Sequence, residues 1–168
     1  MKIILGHFFS LCLLLSFQGL SLEKGKWSFV KTDEYCYIGS YAIDSDLSPE
    51  KKRGDFYILV YKNIGNPETI IQVEAGYDYK IGSDIIVNID KGSYDFYTTK
   101  DLPSAAWTDD DSKVIFAMKK GLKLIITGES TRGTITNDTY TLTGFTASYS
   151  KLIEDCQPKD FNLEILKG

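Results

Sequence analysis

Apolar and polar residues alternate with the period of a β-strand over most of the chain from Trp27 to Thr99. In TIIQVEA, Ile71, Val73 and Ala75 share one face, and Gln72 and Glu74 take the other. In DIIVNID, Ile85, Val87 and Ile89 face one way and Asn88 the other. WSFV and EYCYIGSYAI are rich in aromatic and β-branched residues, which suit a pleated surface. Phe56 to Tyr61 is apolar on both faces, the pattern of a central strand covered on both sides. Polar residues with Pro49 make Ser45 to Arg53 a loop, and Gly65, Asn66 and Pro67 mark a turn. A further turn is expected between Tyr79 and Ser83, and Lys91-Gly92 predicts a tight hairpin into SYDFYT. Turn signals recur about every ten residues, the rhythm of a sandwich or barrel.

The second half adds helices. Asp109, Asp110 and Asp111 precede KVIFAMKKG, where lysines and Gly121 close the segment; these are helix start and stop signals. Ile115 and Met118 would face inward. LKLIIT then reads as a strand with Leu122, Leu124 and Ile126 on one side, and Asn137-Asp138 suits a turn before TYTLTG. Phe145, Tyr149, Leu152, Ile153 and Cys156 form one helical stripe, which aims Cys156 at the core. Pro158 ends that helix. The expected organisation is a segment 1–21, one β domain over 22–158 and a short tail over 159–168.

The segment 1–21 has its own logic. Lys2 is followed by an apolar run from Phe8 to Phe17, then by Gly19 and Ser21 in small-x-small spacing. That is the pattern of a secretory signal peptide, and the run is short for a membrane span. Cleavage would remove His7, the only histidine, and Cys12, one of three cysteines. A mature chain without histidine has no Ser-His or Cys-His mechanism and no imidazole for a zinc site. Cys36 and Cys156 remain, and in an exported protein they invite one disulfide; two buried free thiols are the alternative. A net charge of −4 argues against a nucleic-acid binder that relies on a basic footprint.

An ordered succession of segments carries a family resemblance. Tyr35-Cys36 leads to RGDFYILV at 53–60, GYDYKIGSDIIVNID at 76–90 and YDFYT at 94–98. AW at 106–107, AMKKG at 117–121 and the run from Gly128 to Cys156 complete it. The chain resembles the invasion-associated locus B family of bacterial exported proteins. The resemblance implies an immunoglobulin-like β-sandwich with small helices, a periplasmic or envelope location, and a link by name to host-cell invasion. It supplies no catalytic residues.

Candidate chemistry is sparse. Arg53-Gly54-Asp55 spells an integrin-binding tripeptide, but it runs directly into an apolar strand, so a turn glycine with flanking charges is expected. Ser48-Pro49-Glu50-Lys51 has Ser-x-x-Lys spacing without the companion motifs of penicillin-recognising enzymes. Asp109 to Asp111 lacks the alternating pattern of a calcium loop, so helix capping is the expected role. Asn137-Asp138-Thr139 is a glycosylation sequon that a bacterial protein would not use. Eleven tyrosines could pack across strands or build a recognition surface, and Tyr77, Tyr79, Tyr94 and Tyr97 are the candidates for an exposed patch. The expected function is a non-catalytic envelope module that binds an unknown protein or envelope component. No metal, cofactor, nucleic acid or transmembrane helix is expected in the mature chain. A hydrolase using paired carboxylates and a small-ligand carrier with an apolar cavity are the alternatives.

Overall fold

The computed structural model describes residues 22–158; the expected signal segment 1–21 and the tail 159–168 lie outside the described residues. The first strands are β1 (Ser28–Lys31), β2 (Tyr35–Tyr41), β3 (Asp44–Ser45), β4 (Tyr57–Asn63) and β5 (Ile70–Glu74). Next come β6 (Ile85–Ile89), β7 (Gly92–Phe96), β8 (Ala105–Ala106) and helix α1 (Asp111–Lys120). β9 (Lys123–Glu129), β10 (Ile135–Thr141) and helix α2 (Phe145–Asp155) complete the order. Two sheets form, in the orders β1-β2-β4-β5-β8 and β3-β10-β9-β6-β7, and every ladder is antiparallel.

The alternation read from the sequence decides which face of each strand is buried. Ile71, Val73 and Ala75 point inward, as do Ile85, Val87 and Ile89. They meet Ile38, Ile58 and Val60 of the first sheet and Leu124, Ile126 and Tyr140 of the second in one core cluster. Each fully buried aliphatic side chain contributes roughly 1.5–3 kcal/mol relative to exposure. The result is a mainly β sandwich with two helices, as the sequence suggests.

Helix α2 closes one end. Phe145, Leu152 and Cys156 are buried along its inner stripe, and Phe145 meets Trp27 edge-on at 4.8 Å. The indole of Trp27 donates to the Thr141 carbonyl at 3.0 Å, and the Ser148 hydroxyl donates to the Trp27 carbonyl at 2.8 Å. Cys156 is disulfide-bonded to Cys36 on β2, with Cα atoms 5.8 Å apart. The sulfur bond therefore joins the second strand of the first sheet to the end of the last helix.

Four local expectations are corrected. Strand β4 is fully buried on one face only; Tyr57, Leu59 and Tyr61 on the other face are half-buried. Leu122 is 77% exposed and precedes β9, so only Leu124 and Ile126 keep the inward register. Asn137 and Asp138 lie inside β10, and the hairpin turns instead at Ser130–Thr134, where Gly133 takes a left-handed φ of 77°. The aspartates before α1 do not cap it through their side chains. The Asp111 carboxylate instead accepts the Ile71 amide at 2.7 Å, tying the helix start to β5. Burial raises the pKa of Asp111, and its bond to Ile71 only partly offsets this.

Gly76 is the most demanding backbone position near the cleft described below. Its φ is 69°, and a Cβ there would collide with the carbonyl oxygens of Gly54 and Asp55. Both obstacles are backbone and cannot rotate away. Gly76→Ala should therefore cost about 2–3 kcal/mol or more, combining left-handed strain with a steric shift. Urea unfolding of the variant is the check; a loss below about 0.5 kcal/mol would contradict this account.

Candidate functional site

Three chain segments converge at one end of the sandwich. The first is the loop between β3 and β4, which carries Glu50, Lys51, Lys52 and Arg53. The second is the start of the β5–β6 connection, with Gly76, Tyr77 and Asp78. The third is the β9–β10 turn, with Ser130, Thr131, Arg132 and Thr134. Between them lies a surface cleft of about 720 Å³, with Thr136 on its wall. A shallower hollow of about 410 Å³ adjoins it, lined by Asp55, Tyr57, Glu74 and Ser104 and sharing Gly76, Tyr77 and Asp78.

Backbone contacts hold the walls. The Gly54 amide donates to the Gly76 carbonyl at 2.8 Å, and the Thr131 amide donates to the Asp78 carbonyl at 3.0 Å. Arg53 is the central clamp. Its guanidinium forks onto the Asp138 carboxylate, with Nη1 donating to Oδ2 at 2.8 Å and Nη2 donating to Oδ1. Nη1 also donates to the Ala75 carbonyl at 3.2 Å and Nη2 to the Ser45 hydroxyl at 3.0 Å. The guanidinium lies 3.5 Å from the centroid of the Phe56 ring. The Arg53 and Asp138 side chains are both buried, at 4% and 5% exposure. Nε is buried without a hydrogen-bond partner. One arginine thus joins the loop, β3, the end of β5 and β10.

This geometry changes the reading of Arg53-Gly54-Asp55. The integrin reading requires an exposed arginine, and Arg53 is consumed by an internal ion pair. Nor is Gly54 a turn glycine: residues 51–56 run without a turn, the Gly54 amide donates to the Gly76 carbonyl at 2.8 Å, and the arginine before it is buried.

Asp46 pins the other end of the loop. Its carboxylate accepts the Asn137 backbone amide at 2.7 Å and the Asn137 side-chain amide at 2.6 Å. These bonds stabilise the ionised carboxylate and lower its pKa in the folded state. A lowered folded pKa gives stability that is present above the unfolded value, 3.8, and is lost as pH falls through the lower folded value. The stability difference between wild type and Asp46→Ala should therefore shrink as pH drops from about 5 to about 2. Chemical denaturation across that range is the check, and a difference that stays constant would contradict it.

The four candidate tyrosines are not a single exposed patch. Tyr79 is 1% exposed and belongs to the core, where burial drives its pKa well above the ordinary value. Tyr77 is half-buried and meets Tyr79 edge-on at 5.4 Å. Its hydroxyl lies 2.8 Å from the Thr136 hydroxyl and donates to the Gly128 carbonyl at 3.2 Å. Burial raises its pKa as well. Tyr94 is half-buried beside Lys113, while Tyr97 is 46% exposed and donates to Asp109 at 3.1 Å. Tyr77 alone of the four lines the cleft. A half-exposed tyrosine group that the sequence reading missed lies elsewhere. Tyr41, Tyr57 and Tyr61 share the outer face of the first sheet with Leu59, as the β2–β4 register shows. Burial is the main cause that pushes the Tyr57 pKa up to about 12.

Among the described residues no three His, Cys, Asp or Glu side chains are grouped to hold a metal ion. None of the described helices is long and apolar enough to cross a membrane.

Comparison with known proteins gives three findings. No curated protein matches the chain. A solved structure, the crystal structure of invasion associated protein B from Bartonella henselae, matches with a TM-score of 0.55 at 14% identity. The match covers 77% of this chain and 93% of that one, and at this identity it shows the shared fold. The family model described as invasion associated locus B (IalB) protein matches residues 31–153, from the end of β1 to the last turns of α2. On that match, the chain belongs to the invasion associated locus B family.

Proposed function

We propose that this protein works outside the cytoplasm as a non-catalytic binding module that presents the cleft to another component of the cell envelope. The observation that carries the reading is the cleft itself: a polar recess with walls pinned by Gly54, Asp46 and Arg53. A preformed recess of this size suits ligand binding, since little ordering is needed on association. The Cys36–Cys156 bond supports the location, because such bonds persist in oxidising compartments. Polar walls and a surface position argue against the apolar interior cavity of a small-ligand carrier.

Two experiments test this. The mass of the native protein should lack residues 1–21 and fall about 2 Da below the reduced chain, as one internal bridge requires. A photocrosslinker at Lys52 should then trap an envelope component in intact cells, while one at the distant Leu122 should not. Equal labelling from both positions, or none from Lys52, would overturn the proposal.

Asp78 lines both hollows, with Glu50 in one and Asp55 and Glu74 in the other. That keeps a carboxylate hydrolase as the second reading. Product release from an envelope glycan or peptide, abolished in Asp78→Asn, would favour it over the binding module.

A further inference from the structure

We infer that the cleft takes an acidic saccharide, with Lys52 and Arg132 holding the anionic group and wall hydroxyls meeting the sugar. The inference rests on the binding-module reading and adds the chemistry of the ligand.

Charge is the first argument. The whole chain carries a net charge of −4, yet four cationic side chains converge on this cleft. Arg53 is neutralised by Asp138. Lys51, Lys52 and Arg132 form no ion pair with any described residue, whereas Lys26, Lys80, Lys113 and Lys151 each do. Lys51 donates to the Thr134 hydroxyl at 3.1 Å, so it is oriented toward the β9–β10 turn. That leaves Lys52 and Arg132, both exposed and carried by different segments of the lining, as the cations without a side-chain partner that can turn toward a ligand. An arginine presents a planar fork suited to a carboxylate, and a lysine adds a compact point charge.

The second argument limits how anionic the ligand can be. Glu50 and Asp78 line the same recess. A densely charged polymer such as nucleic acid would bring phosphates against both carboxylates. A ligand with isolated negative groups and many hydroxyls avoids that repulsion and can donate to the two carboxylates.

The third argument is the hydroxyl lining. Ser130, Thr131, Thr134, Thr136 and Tyr77 all border the cleft. A hydroxyl both donates and accepts, which matches the dual character of sugar hydroxyls. Some of these groups are already engaged: Ser130 accepts the Thr134 amide at 3.1 Å, and Thr136 meets Tyr77. These internal bonds fix the lining before any ligand arrives. A volume of about 720 Å³ lies within the range of small-ligand sites and accommodates a short oligosaccharide.

A carboxylate-bearing saccharide could come from the bacterial wall or from a host-surface glycan. Nuclear magnetic resonance titration of the oxidised protein distinguishes them with three probes. These are the N-acetylglucosaminyl–N-acetylmuramic acid disaccharide, a hyaluronan tetrasaccharide, and neutral chitotetraose. At least one acidic probe should shift the amides of Lys52, Thr131 and Arg132, bind about tenfold or more tighter than chitotetraose, and weaken with added salt. The acidic probe that binds identifies the source. The double variant Lys52→Glu, Arg132→Glu should lose about tenfold or more in affinity with an unchanged melting temperature, since both side chains are exposed. Equal binding of the neutral sugar, unchanged affinity in the double variant, or no shift with either acidic probe would overturn the inference. If crosslinking from Lys52 succeeds while every sugar fails, the saccharide assignment falls and the binding-module reading stands; if both fail, both fall.

Discussion

Breaking the Cys36–Cys156 bond by reduction should lower the unfolding free energy by about 4–5 kcal/mol, and replacing both cysteines with serine should lower it somewhat further. The bond spans a sequence separation of 120, so it removes a large share of the conformational freedom of the unfolded chain. The chain-entropy relation gives a value near 5 kcal/mol for a loop of this length. Both sulfurs are fully buried; the Cys156 sulfur lies 3.4 Å from the Lys62 carbonyl, which a hydroxyl at that position could use, so the added loss comes mainly from burying a hydroxyl at position 36. Helix α2 would feel the change most, because the bond holds its last turn to β2. Urea denaturation of the wild type with and without reductant, beside the double serine variant, measures the effect. Reduced wild type and double variant should agree to within about 1–2 kcal/mol, the hydroxyl burial accounting for the difference. A midpoint unmoved by reduction would show that the clasp adds little to a sandwich stable without it.

The second large effect concerns Arg53 and Asp138. Arg53→Met leaves a buried carboxylate without its partner and should cost about 3–5 kcal/mol. Asp138→Leu leaves a buried guanidinium and should cost a similar amount. The double variant Arg53→Met, Asp138→Leu should cost clearly less than the two single losses together, because neither charge is then stranded. Arg53→Lys should rescue poorly, since an ammonium cannot reproduce the fork onto Asp138, the bonds to Ala75 and Ser45 and the stacking on Phe56. A double-mutant cycle by denaturant unfolding gives the coupling directly, and strictly additive losses would refute the pairing as the source of stability. Because this clamp sets the cleft wall, Arg53→Met should also disturb the amides of Lys52 and Gly76 in the folded protein.

The inward faces of β5 and β6 could be read from sequence because burial on one face imposes a strict period of two on Ile71, Val73 and Ala75 and on Ile85, Val87 and Ile89. Phe145 and Leu152 of α2 and Cys156 at its end were legible for the same reason at helical spacing, whereas Ile153, which the same stripe included, is exposed. β4 was misjudged because Tyr57, Leu59 and Tyr61 are as apolar as the residues between them. Composition cannot distinguish an outer face that water partly reaches from one that a second layer covers. The β9–β10 turn was misplaced because Asn137-Asp138 has turn chemistry locally, while in the fold the Asp138 carboxylate has Arg53 as its partner. A distant partner overrode a local preference.

The chain alone indicated the class of fold and the two helices, which follow from residue type and periodicity over short stretches, and it offered Cys36 and Cys156 as candidates for one bond, which the folded structure forms. Tertiary structure decided the cleft. One wall is held by an arginine paired with an aspartate 85 positions away, and the lining comes from three segments with no shared local pattern. Loops are short on periodic signal, and charge pairing acts through space, so side chains that neighbour one another there have no trace in sequence spacing.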